Sequence, residues 1–148
     1  MLKGFRLFAC CLIALTLSAC ASGMKFTEMN PGTMPEDQDS GRISFYRTMV
    51  LGAMLQPDIR LNGTKVGNAI PQGFFYVDRP PGNYEVVTST VVDRKVTFVL
   101  EKGQTRFVKF SVTIGFFLLQ HVYGDLVDPA VGLEEIKECK YGFREAPK

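Results

Sequence analysis

Tryptophan is absent from this chain of 148 residues and histidine occurs once, at His121. That scarcity removes most metal and acid–base chemistry: there is no His-Glu-x-x-His helix, no pair of imidazoles for zinc, and no Gly-x-Ser-x-Gly elbow. Phosphate loops are missing as well, since Gly63-Thr64-Lys65 lacks the upstream glycine of a P-loop and opens no helix. No cluster of Lys and Arg marks a nucleic-acid surface. Leu7 to Leu17 is almost wholly apolar, but it is only about half the roughly 20 residues that a membrane-spanning helix needs.

What is there begins with that run. Lys3 and Arg6 precede it without an acid, and the small residues Ser18 and Ala19 follow it before Cys20, the order of a signal peptide. Leu17-Ser18-Ala19-Cys20 resembles the lipobox of bacterial lipoproteins. The resemblance implies a diacylglyceryl thioether on Cys20, cleavage before it by signal peptidase II and acylation of the new amino group. The competing reading is a plain secretory signal cut at Ala19. Two or three acyl chains hold a protein durably on a bilayer, at about 0.8 kcal/mol per buried methylene. Residue 21 is Ala rather than the Asp that favours inner-membrane retention, which implies an outer-membrane lipoprotein facing the periplasm if the source is Gram-negative.

Removing residues 1–19 from the 148 leaves 129, enough for one domain with a sizeable core. Losing Lys3 and Arg6 brings the 17 basic residues level with the 15 acidic ones, so the remainder is formally neutral. Cys10 and Cys11 leave with the signal peptide and Cys20 is consumed by lipid, so only Cys139 remains and no intramolecular disulfide forms. Residues 20–40 carry Gly23, Pro31, Gly32, Pro35 and the acidic Glu36-Asp37-Gln38-Asp39, and read as a lipidated cysteine followed by a flexible tether with a reach of about 25 Å.

From Gly41 apolar and polar residues alternate, as in Ile43 and Phe45, Ile59 and Leu61, Val96, Phe98 and Leu100, and Val108, Phe110 and Val112. Half-buried strands are expected near 42–48, 57–62, 64–69, 73–78, 83–92, 94–101 and 104–113. Asn62-Gly63 suits a type I′ hairpin, Pro80-Pro81-Gly82 a sharp reversal, and Lys102-Gly103 a further hairpin. Asp128 as cap and Pro129 at the first helical position predict one short helix over about 129–139. The expected fold is all-β, a mainly antiparallel sandwich over 41–142 with one short C-terminal helix and a tail at 143–148.

The order Ile59-Arg60-Leu61-Asn62-Gly63-Thr64-Lys65-Val66-Gly67, then Gly73-Phe74-Phe75-Tyr76-Val77, then Pro81-Gly82-Asn83-Tyr84, is similar to the pattern of the DUF2846 family, mostly small bacterial lipoproteins. More loosely it resembles PEGA-type and carboxypeptidase-regulatory-like modules, which implies a transthyretin-like or immunoglobulin-like sandwich. These motifs are turns and inward apolar residues. The resemblance therefore carries a fold and transfers no catalytic, cofactor or metal residue.

Gly115-Phe116-Phe117-Leu118-Leu119 breaks the alternation. It reads either as a strand buried on both faces or as an exposed apolar patch, with Phe116, Phe117, Leu118 and Leu119 the candidate partner surface. Cys139 reads as a buried small hydrophobe, His121 as a packed or surface histidine, and Glu134-Glu135 as a solvated helix face. The leading expectation is a non-enzymatic interaction or structural module, held to the membrane by lipid at Cys20 and meeting another envelope protein. The alternative is a binder of small ligands or glycans, with Phe74, Phe75, Tyr76 and Tyr84 as a stacking platform; the lack of Trp weakens it.

Overall fold

The computed structural model describes residues 20–32, 34–114 and 120–142. Nine strands run β1 (Gly41–Arg47), β2 (Asp58–Leu61), β3 (Thr64–Asn68), β4 (Gly73–Arg79), β5 (Gly82–Thr88), β6 (Val91–Leu100), β7 (Thr105–Ile114), β8 (Gln120–Val127) and β9 (Lys140–Tyr141), with short helices α1 (Phe26–Met29) and α2 (Pro129–Ile136). They form a five-stranded sheet, β8-β7-β1-β4-β9, and a four-stranded sheet, β3-β2-β5-β6. Neighbours are antiparallel except β1 with β7 and β4 with β9. The molecule is an all-β sandwich with a short C-terminal helix.

The alternating residues fill the space between the sheets: Ile43, Phe45, Phe75, Val108 and Phe110 from one, Ile59, Leu61, Val86, Phe98 and Leu100 from the other. Phe45 stacks on Phe75 at 4.9 Å and on Phe110 at 6.2 Å. A second apolar cluster, Tyr46, Phe74, Phe107, Ile136 and Cys139, lies on the outer face of the five-stranded sheet beneath α2 and the N-terminal segment. All seven residues of β1 are therefore buried, where the alternation had implied one wet face. The sheet is covered on both sides at its centre, which makes three layers rather than two.

Local chemistry sets the connections. Asn62 and Gly63 both have positive φ, 48° and 81°, as a type I′ turn requires. The Asn62 side chain also accepts from the Glu85 amide at 2.8 Å and donates to the Asn83 carbonyl at 3.2 Å, tying the hairpin to β5. Asp128 caps α2 by accepting from the Ala130 amide at 2.9 Å, with Pro129 opening the helix. The helix stops at Ile136, three residues before its expected end, and leaves Cys139 in the loop beyond it.

Three expectations are corrected and one strand is added. Lys102-Gly103 is a crossing between sheets, not a hairpin, because β6 and β7 belong to different layers; Gly103, at φ 69°, donates to the Ser40 carbonyl at 2.8 Å. The β5–β6 reversal falls at Ser89-Thr90, so β6 starts at Val91 rather than at 94. Strand β8, for which no expectation existed, pairs along its whole length with Phe107–Ile114 of β7. Finally, the segment read as a flexible tether is held on the domain through much of its length. Strand β9 leaves a free edge, and the Gly23 amide donates to Tyr141 O at 3.1 Å, the Tyr141 amide to Met24 O at 2.7 Å and the Phe26 amide to Cys139 O at 3.0 Å. Phe26 then packs edge-on against Phe74 at 5.2 Å. Pairing of this kind removes an exposed sheet edge.

Gly132 shows how closely α2 approaches the sheet, since a Cβ added there would lie 2.4 Å from Phe107 Cγ. Alanine in a helix interior ordinarily gains about 1 kcal/mol over glycine, whereas overpacking costs about 1–3 kcal/mol. Gly132→Ala is expected to lower the urea midpoint because the clash falls on the root of the Phe107 ring; a raised midpoint would mean that α2 stands off from β7.

Candidate functional site

The two arginines of β1 build the surroundings of both ends of the N-terminal segment. Arg42, 1% exposed, donates through Nε and Nη2 to Asp78 Oδ1 and Oδ2 at 2.7 and 2.9 Å, and through Nη1 to the Pro31 carbonyl at 2.7 Å. Its guanidinium also lies over the Tyr76 ring, 4.0 Å from the centroid. Carboxylate, ring and carbonyl together satisfy a buried charge and pin Pro31-Gly32 against the outer face.

Arg47, at the other end of the strand, is met by carbonyls alone, through its two terminal nitrogens, while its Nε has no partner among the described residues. Fully buried, it donates to Leu55 O at 2.7 Å and Ala69 O at 2.9 Å through Nη1, and to Leu51 O at 2.5 Å and Gly52 O at 3.0 Å through Nη2. Burial pulls its pKa below the usual arginine value, and the nearby Cys20 side chain opposes that shift. One guanidinium thus fastens the loop after β1 to the chain entering β4. Against that same stretch the Ala21 amide donates to Pro71 O at 3.1 Å, with Ala21 itself buried. Cys20 emerges beside it, partly exposed, and is a free thiol. Cys20 is therefore accessible while its neighbour is seated in the domain.

The remaining sequence-derived candidates have structural occupations or lie apart. Cys139 is fully buried, and burial pushes its thiol up to about 12, which leaves almost no thiolate for chemistry at neutral pH. His121 is half-buried on β8, opposite Thr113. Glu134 faces outward and pairs with Lys137 at 2.6 Å, but Glu135 is not part of a solvated face. It accepts from Tyr46 Oη at 2.7 Å and Lys109 Nζ at 2.6 Å and so bolts α2 to β1 and β7. Lys109 first and then Tyr46 hold the Glu135 carboxyl below the usual range. No group of three possible metal ligands exists among the described residues.

The aromatic platform does not form. Phe75 points into the inter-sheet core and Phe74 into the outer one, Tyr76 lies under Arg42, and Tyr84 stacks on Phe98 at 6.2 Å. Beside Tyr84 and Phe98 lies an open hollow of about 480 Å³ edged by Asn62 and Asn83. Phe116, Phe117, Leu118 and Leu119 lie outside the described residues. So do the expected signal peptide at 1–19 and the tail at 143–148. Sequence reasoning missed Arg42 and Arg47, which read as the polar and terminal positions of an amphipathic strand.

Comparison with family models gives a match to DUF2846, a protein of unknown function, over residues 37–119, more than half of the chain. No curated protein matches it.

The ion pair at Arg42 has a pH signature. Hydrogen bonding to Arg42 holds the Asp78 carboxyl below its usual value of 3.8. Its contribution is therefore complete above that value and is lost as pH falls through the lower folded-state value. Asp78→Asn is expected to lose about 1.5–3 kcal/mol near neutral pH. Urea midpoints measured from neutral pH down to about pH 2.5 should show the gap to wild type narrowing below 3.8; a gap that stays constant would contradict the pairing.

Proposed function

The chain belongs to the DUF2846 family of proteins of unknown function, and on that premise we propose that it works as a lipid-anchored envelope lipoprotein, a non-enzymatic interaction or structural module. The observation that carries this reading is Cys20: it closes a Leu-Ser-Ala-Cys box after an apolar run, and it stands partly exposed next to a buried, hydrogen-bonded Ala21. An enzyme that adds lipid to a thiol needs that side chain reachable, and a domain that keeps its anchor close needs the next residue held. Both conditions are met at this one step of the chain.

In this reading Cys20 carries the diacylglyceryl thioether and, on its new amino group, an acyl chain such as palmitate. Ala21, in place of an acidic residue, sorts the protein to the outer membrane, with the sandwich facing the periplasm. A PEGA-like classification of the sandwich belongs to the same proposal, supported by the Asn62-Gly63 hairpin and the Pro80-Pro81-Gly82 corner. What favours a module over a catalyst is that the groups best suited to chemistry are committed elsewhere: Glu135 to α2, Asp78 to Arg42, and Cys139 to the outer core. Membrane attachment raises the effective concentration of a partner in the same envelope and so relaxes the affinity required of the contact.

The test is Cys20→Ser in the full-length chain, followed by palmitate labelling and Triton X-114 partitioning. Loss of label together with a shift of the protein to the aqueous phase, or its retention as uncleaved precursor, is the expected outcome. Undiminished labelling with unchanged detergent partitioning would overturn the anchoring.

A further inference from the structure

One end of the sandwich gathers the termini around Cys20. Strand β1 ends there at Arg47, β2 begins at Asp58, β3 ends at Asn68 and β4 begins at Gly73. The loop between β1 and β2 runs Thr48-Met49-Val50-Leu51-Gly52-Ala53-Met54-Leu55-Gln56-Pro57 without a single charged residue. Three of its apolar side chains are turned outward: Met54 is 87% exposed, Val50 48% and Leu51 45%. The loop is not slack. The Arg47 guanidinium holds it from beneath through Leu51, Gly52 and Leu55 carbonyls, and Gly52 at φ 68° lets its turn close with the Leu55 amide donating to Gly52 O at 2.9 Å.

The same guanidinium donates to Ala69 O, two residues before the Pro71 carbonyl that receives Ala21. Loop and anchor point are thus braced against one stretch of chain. Because Ala21 is bonded to the domain, no free linker separates the lipidated residue from the fold. Acyl chains leaving Cys20 bring this end of the sandwich to the bilayer and leave the other end away from it.

We infer that the Val50–Met54 loop is a bilayer-contact element, whose apolar side chains enter the outer acyl region beside the lipid on Cys20. The inference rests on the lipid anchor proposed above. Two features single out a bilayer as the occupant: the uncharged stretch around the exposed side chains, and its fixed position beside the anchor. Apolar side chains of an interfacial element sit roughly 5–10 Å into the headgroup and acyl boundary. The three apolar side chains and the acyl chains then act at one membrane contact, each restricting the tilt that the other leaves free.

The absence of tryptophan supplies the experiment. Met54→Trp in the full-length lipoprotein introduces the sole indole at a position with nothing packed over it. Val99→Trp, 52% exposed near the far end of β6, is the comparison. Each purified protein is reconstituted into phosphatidylethanolamine and phosphatidylglycerol vesicles with brominated acyl chains, and intact mass is recorded on the same samples. With the acylated mass present, Met54→Trp emission should shift to the blue and be quenched at least about two-fold more than Val99→Trp, as insertion to the acyl boundary requires. Equal quenching at both positions in acylated protein would overturn the loop contact and leave the anchor standing. A mature mass without acyl chains would overturn the anchor, and the loop contact with it.

Discussion

Two guanidinium groups buried at the ends of one strand are the constraint on which the rest of this structure depends. Moving a charge out of water costs several kcal/mol that hydrogen-bond acceptors must offset. β1 carries Arg42 at its start and Arg47 at its end, 1% and 0% exposed. Asp78, opposite Arg42 in the β1–β4 ladder, supplies two acceptors to the first, and irregular chain supplies the others: Pro31 for Arg42, and Leu51, Gly52, Leu55 and Ala69 for Arg47. The segments that surround the sandwich are placed by that demand. Loops ordinarily run free over the surface of a domain, and here two of them are tied to its central strand.

The consequence for function runs through Cys20. With Pro31-Gly32 on Arg42, Gly23 and Met24 on the edge of β9, and Ala21 on Pro71, much of the chain between Cys20 and the sandwich is held against the domain. A tether of coil would let the domain roam over about 25 Å. If Cys20 carries the proposed lipid, a bound segment would fix which end of the sandwich meets the membrane and which surfaces remain for a partner. The open hollow at Tyr84 and Phe98 lies near the far end, by the Asn62-Gly63 turn.

Much of the sandwich was legible in the sequence because its signals are local. Asn62-Gly63 tolerates two positive φ angles, Asp128-Pro129 opens a helix, and Ile43, Phe45, Val108 and Phe110 keep a period of two. What was hidden depends on partners far away in the chain. Ser44 and Tyr46 look like the wet face of β1, and α2, with Glu135 accepting from Tyr46, and the N-terminal segment cover that face. Strand β8 escaped notice because Gly124 sits where an inward apolar side chain is expected; a Cβ there would lie 3.1 Å from both Phe110 and Val108. Lys102-Gly103 has the residues of a hairpin, but sheet membership is decided by pairing partners rather than by the turn. The docking of the residues after Cys20 could not be read from the sequence, since β9 and the edge it offers are formed by residues 140–141.

The central claim is that the chain after Cys20 is bound to the domain. Hydrogen–deuterium exchange of the membrane-reconstituted protein measures it directly, through the amides of Gly23, Phe26 and Tyr141, each of which donates to a backbone carbonyl across this junction. Protection of peptides covering 21–30 comparable to that of 139–142 is the predicted result. Exchange over 21–30 at the rate of unstructured chain, with the sandwich strands protected, would contradict it and return the segment to a free tether.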